Sequence, residues 1–393
     1  KWSTAQACGL RKRRPVRIDD RSPMFADPDL PLIFTRKQAL QAGLTRHAVT
    51  WRASKGSWHA LRRGAFCLSG VFDAATPEQR HLLTALAALA IDGRKEVLSH
   101  LSAALAYGFP GPIETPATPW FTVGPELRVP TRRRSGVIRQ VAPLKASHVH
   151  RVGEIAITSG ARTVADCLRH FPAVISVPIA DAAVGHGVDI VEIAAILDWQ
   201  ESWPYAARGL ASLRLVDGRR ESWLESQSAV AHHRMGLPSA DAQTLICDEW
   251  GRPIARVDFL WADHAVIGEA DGWDKYLVSD PSVAAENGSR VMSAEVLRKE
   301  KTREDNLRSH GYEVVRWTTR DVLPPLRGLH VRLERAFSRG DVSQVRGTQH
   351  RAPAPVAAAD VVPAELIALR GLARGGLITQ RPSPYSSSAG DLA

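Results

Sequence analysis

Apolar positions follow two different periods in the stretch FTRKQALQAGLTRHAVTWRASKGSWHALRRGAFCLSG, residues 34–70. Its first part has helical spacing: Leu44, Ala48, Val49 and Ala53 can share an inward face, which leaves Arg46, His47, Thr50 and Arg52 outside. Thr35 and Thr45 are placed to cap two helices, and Gly43 and Gly56 to end them, because glycine enters a left-handed turn at little cost. Past Gly56 the pattern predicts two short strands, over 58–61 and 65–68, around a turn carrying Arg62, Arg63 and Gly64. Residues 30–75 are thus expected to form helix, turn, helix and a basic-tipped hairpin.

Over 76–205 helical and strand periods mix. The apolar run at 82–91 is broken by Thr84 and is too short to span a bilayer, so it reads as a buried helix. LSHLSAALAYGF reads as an amphipathic helix, PWFTV, GVIRQV and EIAITSG as short strands, and ARTVADCLRHF as a helix capped from Ser159. Arg132, Arg133 and Arg134 are expected in a basic loop; His100, His148, His150 and His170 have no ligand spacing and read as core or surface histidines. From 212 to 340 the order is a helix (RRESWLESQSAVAHHRMG), strands AQTLICD, RPIARVDFLW and HAVIGEADG, a charged helix ended by Gly311, and a strand YEVVRWT followed by a closing helix. That is α-β-β-β-α-β, and the whole is expected to be an α/β (α+β) multidomain chain. Residues 1–29 read as a disordered basic tail, with 1–23 expected upstream of a start at Met24 or in that tail. Residues 341–393 are rich in Ala, Pro, Gly and Ser and read as mostly disordered, with room for a short helix over 364–373.

Charge sharpens this picture. Residues 1–70 hold fourteen Lys and Arg against four Asp and Glu, so the formal charge of +10 lies entirely there. A basic segment beside a neutral body points to a polyanion, most simply double-stranded DNA. The helix–turn–helix with a basic hairpin is the winged helix-turn-helix plan. Its second helix would enter the major groove with Arg46, His47, Thr50 and Arg52, and its wing would set Arg62 and Arg63 beside a phosphate strand. RNA suits this plan less, since the major groove of an A-form duplex does not admit a helix. Four cysteines without a CxxC pair argue against a zinc site or a disulfide framework. Without a secretory apolar region or a spanning segment, the expected location is the cytoplasm and no membrane partner is expected.

The chemistry concentrates in RVDFLWADHAVIGEADGWDKY, residues 256–276. Asp258 lies on one predicted strand, and Glu269 and Asp271 lie two apart on its neighbour, facing the same way. Carboxylates converging at a sheet edge repel each other unless a cation lies between them. Oxygen-only ligands favour Mg²⁺ or Mn²⁺, which would bind a scissile phosphate, and Lys275 is placed just past the strand to stabilise its charge. No small-molecule cofactor is expected. Trp261, Trp273 and Trp317 are candidates to stack on bases, although Trp261 and Trp317 are more in keeping with packing in or beside the sheet; Arg316 is either a phosphate contact or an exposed strand arginine.

Two resemblances follow. FTRKQALQAGLTRHAV and LRRGAF resemble the N-terminal winged helix of AbiEi-type antitoxins of toxin–antitoxin systems, and 76–205 resembles the central part of such proteins. The resemblance implies autoregulatory DNA binding through Arg46, His47, Arg62 and Arg63, and a cognate toxin as partner. SWLES, RVDFLW, GEADGWDKY and KEKTREDNLRSHGYEVVRWT, in that order, resemble the PD-(D/E)xK nuclease superfamily, in particular its branch related to very-short-patch-repair (Vsr) endonucleases. That resemblance implies a restriction-endonuclease-like domain in which Asp258 and Glu269 are metal ligands and Glu225 supports them. Asp271 would be a ligand or orient water, and Lys275 and Lys301 would contact phosphate. The superfamily's lysine, two residues after the acidic one, is Asp271 here. The expected function is therefore a Mg²⁺-dependent DNA endonuclease, with an AbiEi-like antitoxin and autoregulator carrying an inactive nuclease fold as the alternative.

Overall fold

The computed structural model describes residues 30–92, 96–112, 114–127, 133–134, 136–272, 294–358 and 361–372. The basic segment 1–29, Arg132, Lys275, Trp273 and the stretch from 373 on lie outside the described residues. The described residues form a mixed α/β protein with three sheets.

The first sheet belongs to a small N-terminal unit. Its elements are β1 (Phe34–Thr35), α1 (Arg36–Gln41), α2 (Arg46–Ser54), β2 (Trp58–Arg62), β3 (Ala65–Leu68) and α3 (Ser69–Ala74). Thr35 caps α1 in a reciprocal box with Gln38, and Thr45 accepts the Ala48 N–H at the start of α2. Gly43 and Gly64 hold φ of +93° and +88°, so the two turns are made where the sequence places glycine. The hairpin is antiparallel, β1 pairs with the far side of β3, and Phe34, Ala39, Val49, Trp58 and Phe66 form the core.

The second unit is built from α4 (Pro77–Asp92), β4 (Val97–Leu98), α5 (His100–Tyr107), β5 (Trp120–Val123), β6 (Arg133–Arg134), β7 (Val137–Val141), β8 (Val149–Val152), β9 (Ile155–Thr158), α6 (Gly160–His170), α7 (Ala173–Gly185), α8 (Ile190–Trp199) and α9 (Ala206–Leu213). Its strands form one sheet in the order β6-β7-β5-β4-β9-β8. The apolar run in α4 buries Leu82, Leu83, Ala85, Ala87, Ala88 and Leu89, as its composition requires. Arg133 and Arg134, expected in a loop, form a short strand against β7.

This unit also buries a charged network. Asp166 accepts from Arg162 Nε at 2.8 Å, from Gln200 Nε2 at 3.0 Å and from Arg169 at 3.4 Å, and all four side chains are at most 1% exposed. Burial alone would raise the Asp166 carboxyl; His100, Arg162 and Arg169 outweigh it and hold the carboxyl below the usual range. Trp203 stacks on both guanidinium groups, at 5.2 Å and 5.1 Å. His100, fully buried, meets His170 Nδ1 at 3.2 Å, and burial pushes the His100 imidazole down to about 3.

The third unit comprises α10 (Trp223–Arg234), β10 (Asp241–Cys247), β11 (Pro253–Trp261), β12 (Val266–Ala270), α11 (Ala294–Ser309), β13 (Glu313–Trp317), α12 (Arg327–Arg339) and β14 (Thr348–Arg351). Its sheet order is β13-β12-β11-β10-β14, antiparallel except for the β12–β13 pair, with α11 as the crossover. Leu224 and Ala231 of α10 and Leu329, Leu333 and Ala336 of α12 pack on one face with Phe259, Trp261 and Trp317. Leu307 of α11 packs on the other face with Val257, Ile267 and Val314. The result is a sheet with a helical layer on each side.

Two expected boundaries are corrected. Leu210, Leu213 and Val216 pack on the core of the second unit, so that unit runs past 205. Residues 341–358 and 361–372 are not a tail without structure. β14 adds an edge strand to the third unit's sheet, and α13 (Ala364–Leu372) returns to the second unit, where Leu366 and Leu369 are almost fully buried. The short helix for which the sequence leaves room over 364–373 is present, and two leucines at i and i+3 dock it. Among the described residues, no helix is long and apolar enough to cross a membrane.

Candidate active site

The pairing of β11 with β12 runs from Trp261–Val266 to Phe259–Gly268. Past Phe259 a side chain takes over: Asp258 Oδ2 accepts the Ala270 N–H at 2.8 Å. The face alternation of β11 also slips there. Ala255 and Val257 pack in the cluster with α11, whereas Phe259 and Trp261 pack in the cluster with α10 and α12. A regular strand would put all four on one face. Opposite, in β10, Gln243 holds φ of +52°, a left-handed conformation that a non-glycine residue adopts at a cost of about 1–2 kcal/mol. The two irregularities form a notch in the sheet, and the Asp258 carboxylate is inside it, 8% exposed.

Gln243 ties the notch to α10. Its Nε2 donates to Glu225 Oε2 at 2.8 Å and, more weakly, to Asp258 Oδ1 at 3.3 Å. Glu225 stands in the first turn of α10, three residues after the N-cap Ser222, and accepts from the Ser222 hydroxyl and the Glu221 N–H. It therefore braces the start of α10 as well as lining the notch. Burial, and then the charge of Asp258, push the Glu225 carboxyl up to about 7.

Glu269 enters from β12, 5% exposed, and its Oε1 accepts from Arg303 on α11 at 2.9 Å. Burial and Asp258 push its carboxyl up to about 8, against the pull of Arg303 and Arg316. Asp271 faces Arg316 of β13 at 3.4 Å, and Arg316 also reaches Glu300 at 2.9 Å and Glu304 at 3.1 Å. Both Glu269 and Asp271 are thus paired with arginines grouped around α11, in keeping with the shared face expected of residues two apart. Asp258 stands beside both Glu225 and Glu269, and Asp271, facing Arg316, is partly exposed. Asp258 and Glu269 offer only oxygen donors. Among the described residues, no group of three or more His, Cys, Asp and Glu is arranged to hold a metal ion.

Other expected residues separate clearly. Lys301 is exposed on α11, and Lys275 lies outside the described residues. Trp261 and Trp317 are 2% and 1% exposed, so they pack and do not offer faces to bases. In the N-terminal unit Arg46, His47 and Thr50 are exposed on α2, Arg63 is exposed at the hairpin tip, and Arg62 is half-buried. Thr50 accepts from Arg36 at 3.0 Å. Arg52, expected outside, is corrected: it is 2% exposed, with its guanidinium 5.5 Å from the Trp58 ring centroid. A long arginine can fold back across its own helix to cover an aromatic face, which helical spacing alone does not register. Gln243 and Arg303 are not evident from the sequence. The only signal for Gln243 was a polar side chain inside a buried strand; nothing in α11 distinguished Arg303 from its charged neighbours.

No family model matches this chain, and no curated protein matches it. Among solved structures it is similar to the RV2827C protein from Mycobacterium tuberculosis, with 17% identity over 47% of this chain and 76% of that one, at a TM-score of 0.32. A likeness that faint carries no argument about fold or function.

Proposed function

We propose that the chain is a divalent-metal-dependent DNA endonuclease, with a winged helix-turn-helix at 30–75 that brings it to double-stranded DNA and a PD-(D/E)xK, Vsr-like nuclease domain at 212–340. The observation that carries this reading is the sheet notch that buries Asp258 beside Glu269. Interrupting a strand pairing, holding Gln243 at positive φ and burying mutually repelling carboxylates all cost stability, and such costs cluster at functional sites. The order of elements and the resemblance of RVDFLW and GEADGWDKY to that superfamily support the same reading.

The residues suit one Mg²⁺ or Mn²⁺. Asp258 and Glu269 would hold it, since such an ion takes one or two carboxylates and completes its shell with water and substrate phosphate. When bound it supplies Lewis-acid polarisation of the phosphate and a more acidic water. Gln243 orients Asp258, Glu225 anchors Gln243, and Asp271 would orient the attacking water. In hydrolysis the water oxygen bonds to phosphorus, the bond to the leaving sugar oxygen breaks, and that oxygen takes up a proton. Arg46, His47, Thr50, Arg62 and Arg63 would carry DNA binding, and Lys301 would add a backbone contact.

A second reading is an AbiEi-like antitoxin and autoregulator, with a toxin as partner and a nuclease fold that no longer cuts. One observation favours it: Arg303 and Arg316 already pair with Glu269 and Asp271, and Asp271 occupies the position of the superfamily's lysine. The deciding experiment is nicking of supercoiled plasmid with Mg²⁺ or Mn²⁺, by the wild type and by Asp258→Asn. Metal-dependent nicking lost in the variant supports the nuclease. DNA binding without nicking favours the regulator.

A further inference from the structure

We propose, resting on the nuclease reading, that Arg303 is the phosphate-contacting cation of the site: it releases Glu269 to the divalent ion and turns to the scissile phosphate. The role needs a cation, because negative charge grows on the phosphorus oxygens during hydrolysis. Position 271, where the superfamily has lysine, holds an aspartate. Lys301 is exposed to solvent. Among the described residues, Arg303 and Arg316 are the cations paired with Glu269 and Asp271.

The two arginines are held very differently. Arg316 lies among three carboxylates, those of Asp271, Glu300 and Glu304. It is a fixed structural ion. Arg303 NH2 donates to one buried carboxylate, Glu269, at 2.9 Å and to the Arg256 carbonyl at 2.7 Å, while its NH1 is 3.6 Å from Glu300. Its side chain is 27% exposed and covers a Glu269 carboxylate that is 6% exposed. Arg303 thus stands between solvent and a proposed metal ligand, and neutralises it. Once Glu269 has another positive partner, its attraction for the guanidinium falls, and the NH2 that held it is freed for the phosphate entering the notch, while NH1 stays near Glu300. A guanidinium presents two parallel donors to a phosphate, so the exchange replaces one charge-assisted hydrogen bond with others of the same kind.

The assignment makes two readouts move in opposite directions. An internal cation competes with the metal for Glu269, so removing it should tighten metal binding. Removing the phosphate contact should slow cleavage. The full-length chain and its Arg303→Ala and Arg303→Lys variants are titrated with Mn²⁺ by calorimetry at pH 8, then assayed for plasmid nicking at saturating Mn²⁺. Thermal melts establish that each variant is folded. The expected result for Arg303→Ala is Mn²⁺ binding about tenfold tighter and nicking slowed by about 10²-fold or more. Arg303→Lys should recover part of the rate. An alanine variant that nicks within about threefold of wild type, or that loses metal affinity and rate together as a merely structural residue would, overturns the assignment while the nuclease reading stands. A wild type that neither binds Mn²⁺ nor nicks overturns both.

Discussion

Replacing Gln243 with alanine tests whether the notch is held together by one amide. Gln243 Nε2 gives its shorter bond, 2.8 Å, to Glu225 and its longer, 3.3 Å, to Asp258. A hydrogen bond to a charged acceptor contributes about 1.5–3 kcal/mol, and the longer one less. The loss should be about 3 kcal/mol when both carboxylates are charged. The backbone does not confound the comparison, because alanine and glutamine are both disfavoured at φ +52°, and Gln243→Gly separates that effect by relieving it. The loss must also depend on pH. The Glu225 carboxyl is raised to about 7, so its contribution to stability is complete below its unfolded value and is lost as pH rises through the folded one. Without the amide that favours its charged form, the folded value rises further. The variant and the wild type then diverge as pH increases. Amide hydrogen exchange in β10 and β11, corrected for intrinsic rates, reads this unit alone. Exchange should be about a hundredfold faster in Gln243→Ala at pH 8.5 and less than about tenfold faster at pH 5.5, since 1.4 kcal/mol is a factor of ten. Equal acceleration at both pH values, or none, would show that the amide does not hold the two carboxylates together.

Other outcomes follow from the same structure. Burial holds His100 near 3 and His148 and His170 near 4, so the unfolded state takes up protons first, and the second unit should lose stability as pH falls below about 6.5. Asp181, raised to about 6 by burial, offsets only one of these three, and exchange in α5 and α6 that is no faster at pH 5 than at pH 7 would contradict this. A Cβ at Gly268 would overlap the Trp317 ring and stand 3.0 Å from Trp261 Cζ3, so Gly268→Ala should cost the third unit about 1–3 kcal/mol or more, measured by urea unfolding. Arg46→Ala should weaken DNA binding and reduce the salt slope by about 1 without moving the melting temperature. Arg52→Ala should lower the melting temperature of the N-terminal unit instead, and the reverse assignment in a paired gel-shift and melting experiment would contradict the burial of Arg52.

Signals in the sequence are legible where the physics is local. Thr35, Thr45 and Ser159 cap their helices, and the glycines at 43, 56 and 64 lie at positive φ where turns were expected. The α-β-β-β-α-β order of the third unit is the observed one. Contacts between distant residues were not legible. Gln243 bridges residues 18 and 15 positions away, and Arg303 reaches Glu269 across 34. Arg162 and Asp166 are spaced as an ordinary exposed helix pair; only the packing of α6 against α8 and α9, which brings Gln200 and Trp203 onto them, makes them a buried network. The docking of α13 was hidden for the same reason, because its partners lie some 260 residues earlier in α4 and α5.

The proposed nuclease rests on the notch carboxylates taking part in DNA cleavage. The most direct measurement is the nicking rate of Glu269→Gln and Asp258→Asn at saturating DNA and Mg²⁺, with gel shifts to establish that both still bind. The expected result is wild-type DNA affinity with nicking reduced by at least about 10²-fold in each, since each substitution removes an ionisable carboxylate and keeps the shape. Nicking at the wild-type rate in both variants would contradict it.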